Sequence, residues 1–433
     1  SVLRLKSALN KDCKIATNGT KISYFKKVEM KCQICQKQTL CKFLSLGHHP
    51  PSDSFLKEDE LNKPETYYPL DVYYCENFSL VQLGYAVDPK ILFSDYVYNT
   101  GANNSLVKNF KELADALVKR FKMTKNNLAV DIGSNDGTLL KGFLEHNVKI
   151  LGVEPSSVAA IAIKNNIPTI KKFFNKKAAL DVVKKHGKAK VITATNVFAH
   201  VKDIMSFMGG VKELLTDDGI FVSESHYLLD LIKNMHWDSI YHEHLRYYSL
   251  KPLIYLFNSF NIDLFDAEKI ATHGGSIRIY ACKRGAYKIS DKVAKMLKEE
   301  EDNGLYNKQT YQKFGRDVLR HKIKIQEILI TLKKEGNKIV GIGAPAKGNT
   351  LLNYCNITPD IMEYIAEKSK LKIGLYTPGM HIKVVNEELL FKEQPDYAFL
   401  LSWNIADELI PKLRKLGYKG KIIVPTTYLN IIE

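Results

Sequence analysis

This 433-residue chain is short of long apolar runs, and that absence narrows the field first. No run of about 18 apolar residues occurs, which excludes a transmembrane helix. The opening stretch SVLRLKSALNKDCKIATNG has no apolar core of the length a secretory signal needs, so a cytoplasmic protein is expected. Short-period repeats and low-complexity segments are also missing, and 45% hydrophobic with 25% charged residues is the balance of a folded globular chain rather than a disordered one. Acids are in deficit: 47 Asp and Glu face 63 Lys and Arg, a formal charge of +16 that favours anionic partners. The lysines are dispersed. A nucleic-acid-binding protein, one reading of a basic chain, should cluster them with stacking aromatics. Seven cysteines, an odd number crowded mostly into the first 75 residues, do not make a disulfide framework; they suggest a metal site plus scattered thiols.

Four stretches emerge along the chain. Residues 1–29 are a basic extension, and 30–94 form a small loop-rich module dense in Cys, Pro and Tyr. From 95 to 285 short apolar runs (NLAVDIGS, KILGVEP, KVITATN, GIFVSES) alternate with helical stretches, which implies βαβ units around a parallel sheet. Residues 286–433 begin with charged helices in which Phe314, Val318, Ile325, Ile328, Leu329 and Leu332 share one face. A second βα series then runs from Lys338 through KIVGIGA, PDYAFLLSW and GKIIVPT.

Two glycine turns carry candidate ligand chemistry. In the first, an apolar strand ends at Asp131, and Gly133, Ser134, Asn135 and Gly137 lead into a helix. Glu154, followed by Pro155, ends the next strand, where a carboxylate can accept hydrogen bonds from both ribose hydroxyls of an adenosine cofactor. The pattern is D-x-G-x-x-x-G rather than G-x-G-x-x-G, and Asp136 stands where a pyrophosphate would be repelled. A cationic sulfonium cofactor, S-adenosylmethionine, therefore fits better than NAD. Asn196 and His200 follow the third apolar run, at the strand ends where open α/β sheets bind ligands; a structural histidine is the commoner outcome there. The second turn, Gly343 to Asn349 with Lys347 and Gly348, can cradle a phosphate or nucleoside, but it lacks the Walker residues, which argues against ATP hydrolysis.

The densest constellation is Tyr241-His242-Glu243-His244. It lacks the H-E-x-x-H spacing of a helical zinc site. Two readings compete: a polar surface turn, and an acid–base site in which a neighbouring carboxylate raises the proton affinity of a histidine. His273, Ser276 and Arg278 lie on a later Gly–Gly turn, either a phosphate contact or a plain connection between strands. Near the start, Cys32 and Cys35 make half a zinc knuckle and Cys75 begins the other. Phe78 stands where its fourth cysteine is needed, leaving Cys41, His48, His49 or a degenerate site.

Taken in order, C-x-x-C, LGHHPPSDSFL, LVQL, FSDYVYNTG, DIGSNDGTLL, GVEPS, NVFAHV, IYHEHLRYYS, THGGSIR, GAPAKGNTLLNY and YTPG resemble the sugar C-methyltransferases of deoxysugar biosynthesis over residues 30–433. That resemblance implies an α/β architecture. Its parts are an N-terminal zinc-binding module, a class I methyltransferase domain and a second, C-terminal Rossmann-like domain. It implies methylation at C-3 of a nucleotide-linked 4-keto-6-deoxyhexose held between the last two domains. The family's catalytic residues fall on Tyr241, Glu243 and His244. Cofactor contacts fall on Gly133, Ser134, Asn135, Gly137 and Glu154, with Tyr98, Pro155, Asn196 and His200 beside them. Sugar-nucleotide contacts are expected from His273, Ser276, Arg278, Gly343, Lys347, Gly348 and Asn349, and structural zinc from Cys32, Cys35 and Cys75. No nucleic-acid or membrane partner is implied.

Overall fold

The computed structural model describes residues 30–433 apart from 94–99, 103, 427 and 428. The extension at 1–29 and the cofactor candidate Tyr98 lie outside the described residues. Three sheets organise the rest. The first holds β1 (Leu40–His49), β2 (Tyr68–Cys75) and β3 (Val81–Leu83), all antiparallel.

The central sheet starts with β4 (Leu128–Ile132), β5 (Lys149–Val153), β6 (Thr169–Ile170), β7 (Ala189–Thr195) and β8 (Leu215–His226), paired in parallel. The dipeptide β9 (Arg246–Tyr247) leaves this region and pairs with β3, so the first sheet is completed from the middle of the chain. β10 (Ile262–Ile270) and β11 (Ser276–Lys283) return antiparallel, giving the order β10-β11-β8-β7-β4-β5-β6. This is the class I methyltransferase order. β4, β5, β7 and the middle of β8 are buried on both faces, which is why apolar residues follow one another there instead of alternating with polar ones.

The third sheet has the order β14-β13-β12-β15-β16-β17. It is built from β12 (Ile339–Ile342), β13 (Ile365–Glu367), β14 (Val384–Asn386), β15 (Tyr397–Leu400), β16 (Lys421–Val424) and an antiparallel edge, β17 (Asn430–Ile432). Strand order reverses between β4 and β7 in the central sheet and between β12 and β15 here. Both reversals open crevices at the carboxyl ends of strands.

The charged helical stretch forms helices Asp291–Asp302 and Lys308–Lys334. In the second, Phe314, Val318, Ile325, Leu329 and Leu332 are buried as their spacing predicts, and Ile328 is partly covered. Part of that face lies on the first sheet, where Tyr311 meets Phe43 and Tyr74 at ring separations of 5.1 and 4.5 Å. Among the described residues, no helix is long and apolar enough to cross a membrane.

Candidate functional site

The strand ends of the central sheet, the β12 turn and the end of β15 surround one cavity of about 750 Å³. On the central-sheet side the cavity is lined by Gly133, Ser134, Asn135, Glu154, Pro155, Asn196 and His200. Gly133 sits at φ +69° and gives its amide to the Val153 carbonyl at 2.8 Å; a Cβ there would run into the Val197 side chain. One Glu154 oxygen accepts from the Asn135 amide at 3.0 Å and the other from the Ser156 amide at 2.8 Å. A carboxylate accepts about four hydrogen bonds, so lone pairs remain on both oxygens. Ser134 Oγ is buried without a partner. A glycine turn with no room for a side chain, a carboxylate with spare acceptor capacity and an unsatisfied hydroxyl on the same cavity suit an adenosyl group.

Two expectations for this side need correction. Gly137 is left-handed at φ +80° and packs on Ile167 as the first residue before helix Thr138–Leu144, away from the cavity. Asp136 does not face a ligand's phosphates. It accepts from the Thr138 amide and hydroxyl at 3.1 and 2.6 Å and from the Gly101 amide at 2.8 Å, so it closes the turn ahead of the helix and ties down a loop.

Tyr241, Glu243 and His244 lie on a turn before β9, and all three face the cavity. The turn is not a surface feature, since Glu243 and His244 are each 4% exposed. His244 Nδ1 is 2.8 Å from the Ser239 carbonyl oxygen, which only accepts. The neutral ring therefore carries its hydrogen on Nδ1 and leaves the Nε2 lone pair unprotonated. Burial, followed by the neighbouring His200, His273 and Lys347, which disfavour a further positive charge, pushes the His244 pKa well below its usual value. No carboxylate raises its proton affinity, contrary to the sequence reading. Glu243 instead shares its surroundings with Asp53 and Lys372, and burial followed by Asp53 holds its carboxyl well above the usual carboxylate range.

Imidazoles crowd this wall. His200 and His226 lie 4.9 and 4.7 Å from His244 by ring centroid, and His226 is 5.7 Å from His273. Lys347 enters from the opposite side, its Nζ 4.1 Å above the Trp403 ring. Burial lowers Lys347 to about 8, opposed by Asp238. Asp238 is raised to about 6 by burial and accepts from Trp403 Nε1 at 2.5 Å.

Five candidate substrate contacts are committed elsewhere. Arg278 donates through Nε to Glu224 at 2.6 Å and through Nη1 to Glu268 at 3.1 Å, a cross-strand triad on β8, β11 and β10. Ser276 donates to the Thr272 carbonyl at 3.0 Å. Asn349 is buried and donates to the Ser52 carbonyl at 2.6 Å. The Gly343 amide is spent on the Ala366 carbonyl at 2.9 Å, and Gly348 lets its helix approach Leu401. The amides of both glycines are thus spent within the protein. Only His273 and Lys347 of that set line the cavity.

Sequence reasoning passes over Asp53, Lys372, His226 and Asp238. Lys372 Nζ reaches the Ala344 carbonyl at 2.8 Å and Asp53 at 3.3 Å, joining the β1–β2 loop to the third sheet. Asp53 stands inside the LGHHPPSDSFL stretch, the one signal that marks it; Lys372 sits in a basic run like many others.

Away from the cavity, the ligand atoms of Cys32, Cys35 and Cys75 lie within 4.8 Å of one another. The other candidate ligands stay apart: Cys41 adjoins Glu76 and Lys308, His48 is exposed, and His49 faces His242 and Lys322. Three thiols suit a zinc-class cation but leave one tetrahedral position without a protein sulfur.

Comparison with known proteins agrees with this layout. Residues 32–93 match a putative zinc binding domain, 107–265 a methyltransferase domain and 271–426 a C-methyltransferase C-terminal domain. The chain is 32% identical over 405 residues to the C-methyltransferase NovU of Streptomyces niveus, covering 93% of this chain and 96% of that one. Among solved structures, an S-adenosylmethionine-dependent methyltransferase from Anabaena variabilis covers 40% of this chain and 84% of its own, at 14% identity and TM-score 0.33. The magnesium protoporphyrin IX methyltransferase of Synechocystis covers 42% and 88%, at 11% identity and the same TM-score. With a full-length relative above 30% identity and three family segments in order, this chain belongs to the C-methyltransferases.

Proposed function

We propose that this S-adenosylmethionine-dependent enzyme methylates C-3 of a nucleotide-linked 4-keto-6-deoxyhexose, in the making of a branched deoxysugar. One observation carries the reading: a neutral histidine, His244, is oriented through Nδ1 with Nε2 left basic, on a cavity shared by two glycine-turn domains. Such a group serves any acceptor that must lose a proton before it attacks, and in a C-methyltransferase that acceptor is a carbon. It is what a carbon nucleophile needs, because a C–H bond next to a ketone must first lose its proton. Lys347 and Lys372 on the cavity wall argue for an anionic sugar phosphate as the molecule that enters, and the overall charge of +16 agrees.

His244 Nε2 takes the C-3 proton. Glu243, its carboxyl held well above the usual carboxylate range by burial and then by Asp53, is suited to offer an O–H toward the oxygen on which enolate charge develops, and the Tyr241 hydroxyl offers a second donor. Lys347 and Lys372 are the cations nearest the third sheet for the substrate's phosphates. S-adenosylmethionine supplies an electrophilic methyl group when bound, and Glu154 with its turn holds the adenosyl end. Bringing the carbanion within roughly 3–3.5 Å of its electrophile supplies much of the rate.

The test needs no methyl donor. In deuterated buffer the protein should exchange the C-3 hydrogen of a dTDP-linked 4-keto-6-deoxyhexose, read by loss of that proton's NMR signal. Absence of exchange, with methylation of a nucleic acid or another anionic acceptor instead, would replace this reading by its rival. The pH profile has a fixed sign. His244 must be unprotonated to act and its pKa is depressed, so exchange should be flat through neutrality and fall only well below pH 6.5. A limb centred near 6.5 would belong to some other group.

Glu154→Ala should weaken S-adenosylhomocysteine binding by the loss of charge-assisted hydrogen bonds worth about 1.5–3 kcal/mol each. Calorimetry showing unchanged affinity would remove Glu154 from the cofactor site.

A further inference from the structure

The two turns that carry the three clustered thiols are built to one plan. In the first, the Cys32 amide donates to the Lys37 carbonyl at 3.0 Å and the Gln36 amide to the Cys32 carbonyl at 2.9 Å, with Gln36 left-handed at φ 59°. In the second, the Cys75 amide donates to the Leu80 carbonyl at 2.8 Å and the Ser79 amide to the Cys75 carbonyl at 2.8 Å, with Ser79 left-handed at φ 62°. Each turn aims the amides two and three residues on at its leading sulfur: Ile34 and Cys35 at Cys32, Asn77 and Phe78 at Cys75. Position for position, Phe78 occupies the place of Cys35. Its ring is instead stacked on Tyr255 of helix Leu250–Asn258, at 3.6 Å and 21°.

The sulfur geometry survives this loss. Cys35 and Cys75 Sγ are 3.7 Å apart, close to the roughly 3.8 Å edge of a tetrahedron with 2.3 Å zinc–sulfur bonds. Thr39 Oγ1 lies 3.2 Å from Cys75 Sγ and can donate to a thiolate there. No other thiol, imidazole or carboxylate among the described residues joins the group. Cys32 and Cys75 are buried, whereas Phe78, at the missing position, is half-buried beside the exposed Glu76 and Asn77, so the part of the cluster that lacks a fourth ligand adjoins solvent.

We infer that this chain holds one zinc ion through the three thiolates of Cys32, Cys35 and Cys75, with an exchangeable solvent oxygen in the position a fourth cysteine would fill. Three thiolates leave a complex of net charge −1 rather than −2, and an open coordination position lets small ligands reach the metal. Phe78 exchanges the fourth metal bond for an aromatic contact that fastens the module to the central domain.

X-ray absorption at the zinc edge of the full chain, purified without chelator, tests this directly. The expected shell is three sulfurs and one oxygen or nitrogen. Four sulfurs would overturn the inference, and Cys13→Ser or Cys41→Ser would show which residue supplies the extra one. A protein without zinc would overturn it too. With cobalt in place of zinc, added imidazole should shift the visible bands of the wild type and leave those of Phe78→Cys unmoved, since that substitution restores the fourth sulfur. Wild-type bands that ignore imidazole would show a closed site and refute the open position. None of these readouts depends on methyl transfer, so they stand or fall apart from the substrate assignment.

Discussion

His244→Asn is expected to fold, to bind S-adenosylhomocysteine as the wild type does, and to lose methyl transfer by roughly 10²–10⁴-fold, the usual contribution of a positioned acid–base group. Asparagine is the informative replacement. Its side-chain amide can still donate to the Ser239 carbonyl, so the hydrogen bond that fixes the turn is kept while the basic Nε2 is removed. The same variant should fail to exchange the C-3 hydrogen with deuterated solvent. Exchange isolates proton removal from the later displacement. If exchange persists at the wild-type rate while methylation falls, His244 positions the substrate and the base lies elsewhere. His226 and His200, both within 5 Å of its ring, are then the groups to replace next.

Much of this site is legible in the amino-acid sequence because two kinds of local signal are strong. Continuous apolar runs ending in glycine mark parallel strands and their turns, and both switch-point crevices follow from them. The Y-x-E-H segment concentrates chemistry that a plain turn has no need of. Other features are illegible for a definite reason. Arg278 and Asn349 stand in motifs that look ligand-bound, yet their partners, Glu224 and Ser52, lie 54 and 297 residues away. Sequence spacing carries no information about such pairs. Lys372 and Asp53 escape notice by the same logic reversed, since only folding brings the β1–β2 loop to the third sheet. The contribution of β9 to the first sheet is likewise hidden, because a two-residue strand has no periodicity to read. The glycine turn after β12 misleads in another way. Its residues are those of a phosphate loop, but the amides of Gly343, Ala344 and Gly348 are taken by the Ala366 carbonyl, the Glu367 carboxylate at 2.7 Å and the Pro345 carbonyl.

Arg278→Met separates a structural from a substrate-binding role for the guanidinium, and the structural outcome is expected. Glu224 is 1% exposed, and Arg278 supplies its cationic partner from the neighbouring strand. Removing one member of a buried pair strands the other, at a cost of about 3–5 kcal/mol in unfolding free energy. Burial already raises the Glu224 pKa and Arg278 opposes that rise, so the variant's Glu224 should titrate higher still. The sign of the pH dependence follows. A carboxyl whose folded pKa lies above its unfolded value gives its stability below the unfolded value, near 4.5, and loses it as pH rises through the folded one. Denaturant unfolding should therefore find the deficit of Arg278→Met larger at pH 8 than at pH 5. The double variant Glu224→Leu/Arg278→Met should recover most of the loss, because no charge is left uncompensated. Affinity of the folded variant for the sugar nucleotide should be unchanged. A variant of undiminished stability that binds sugar nucleotide more weakly would mean that Arg278 leaves Glu224 for the substrate, and would return it to the ligand site from which its hydrogen bonds now remove it.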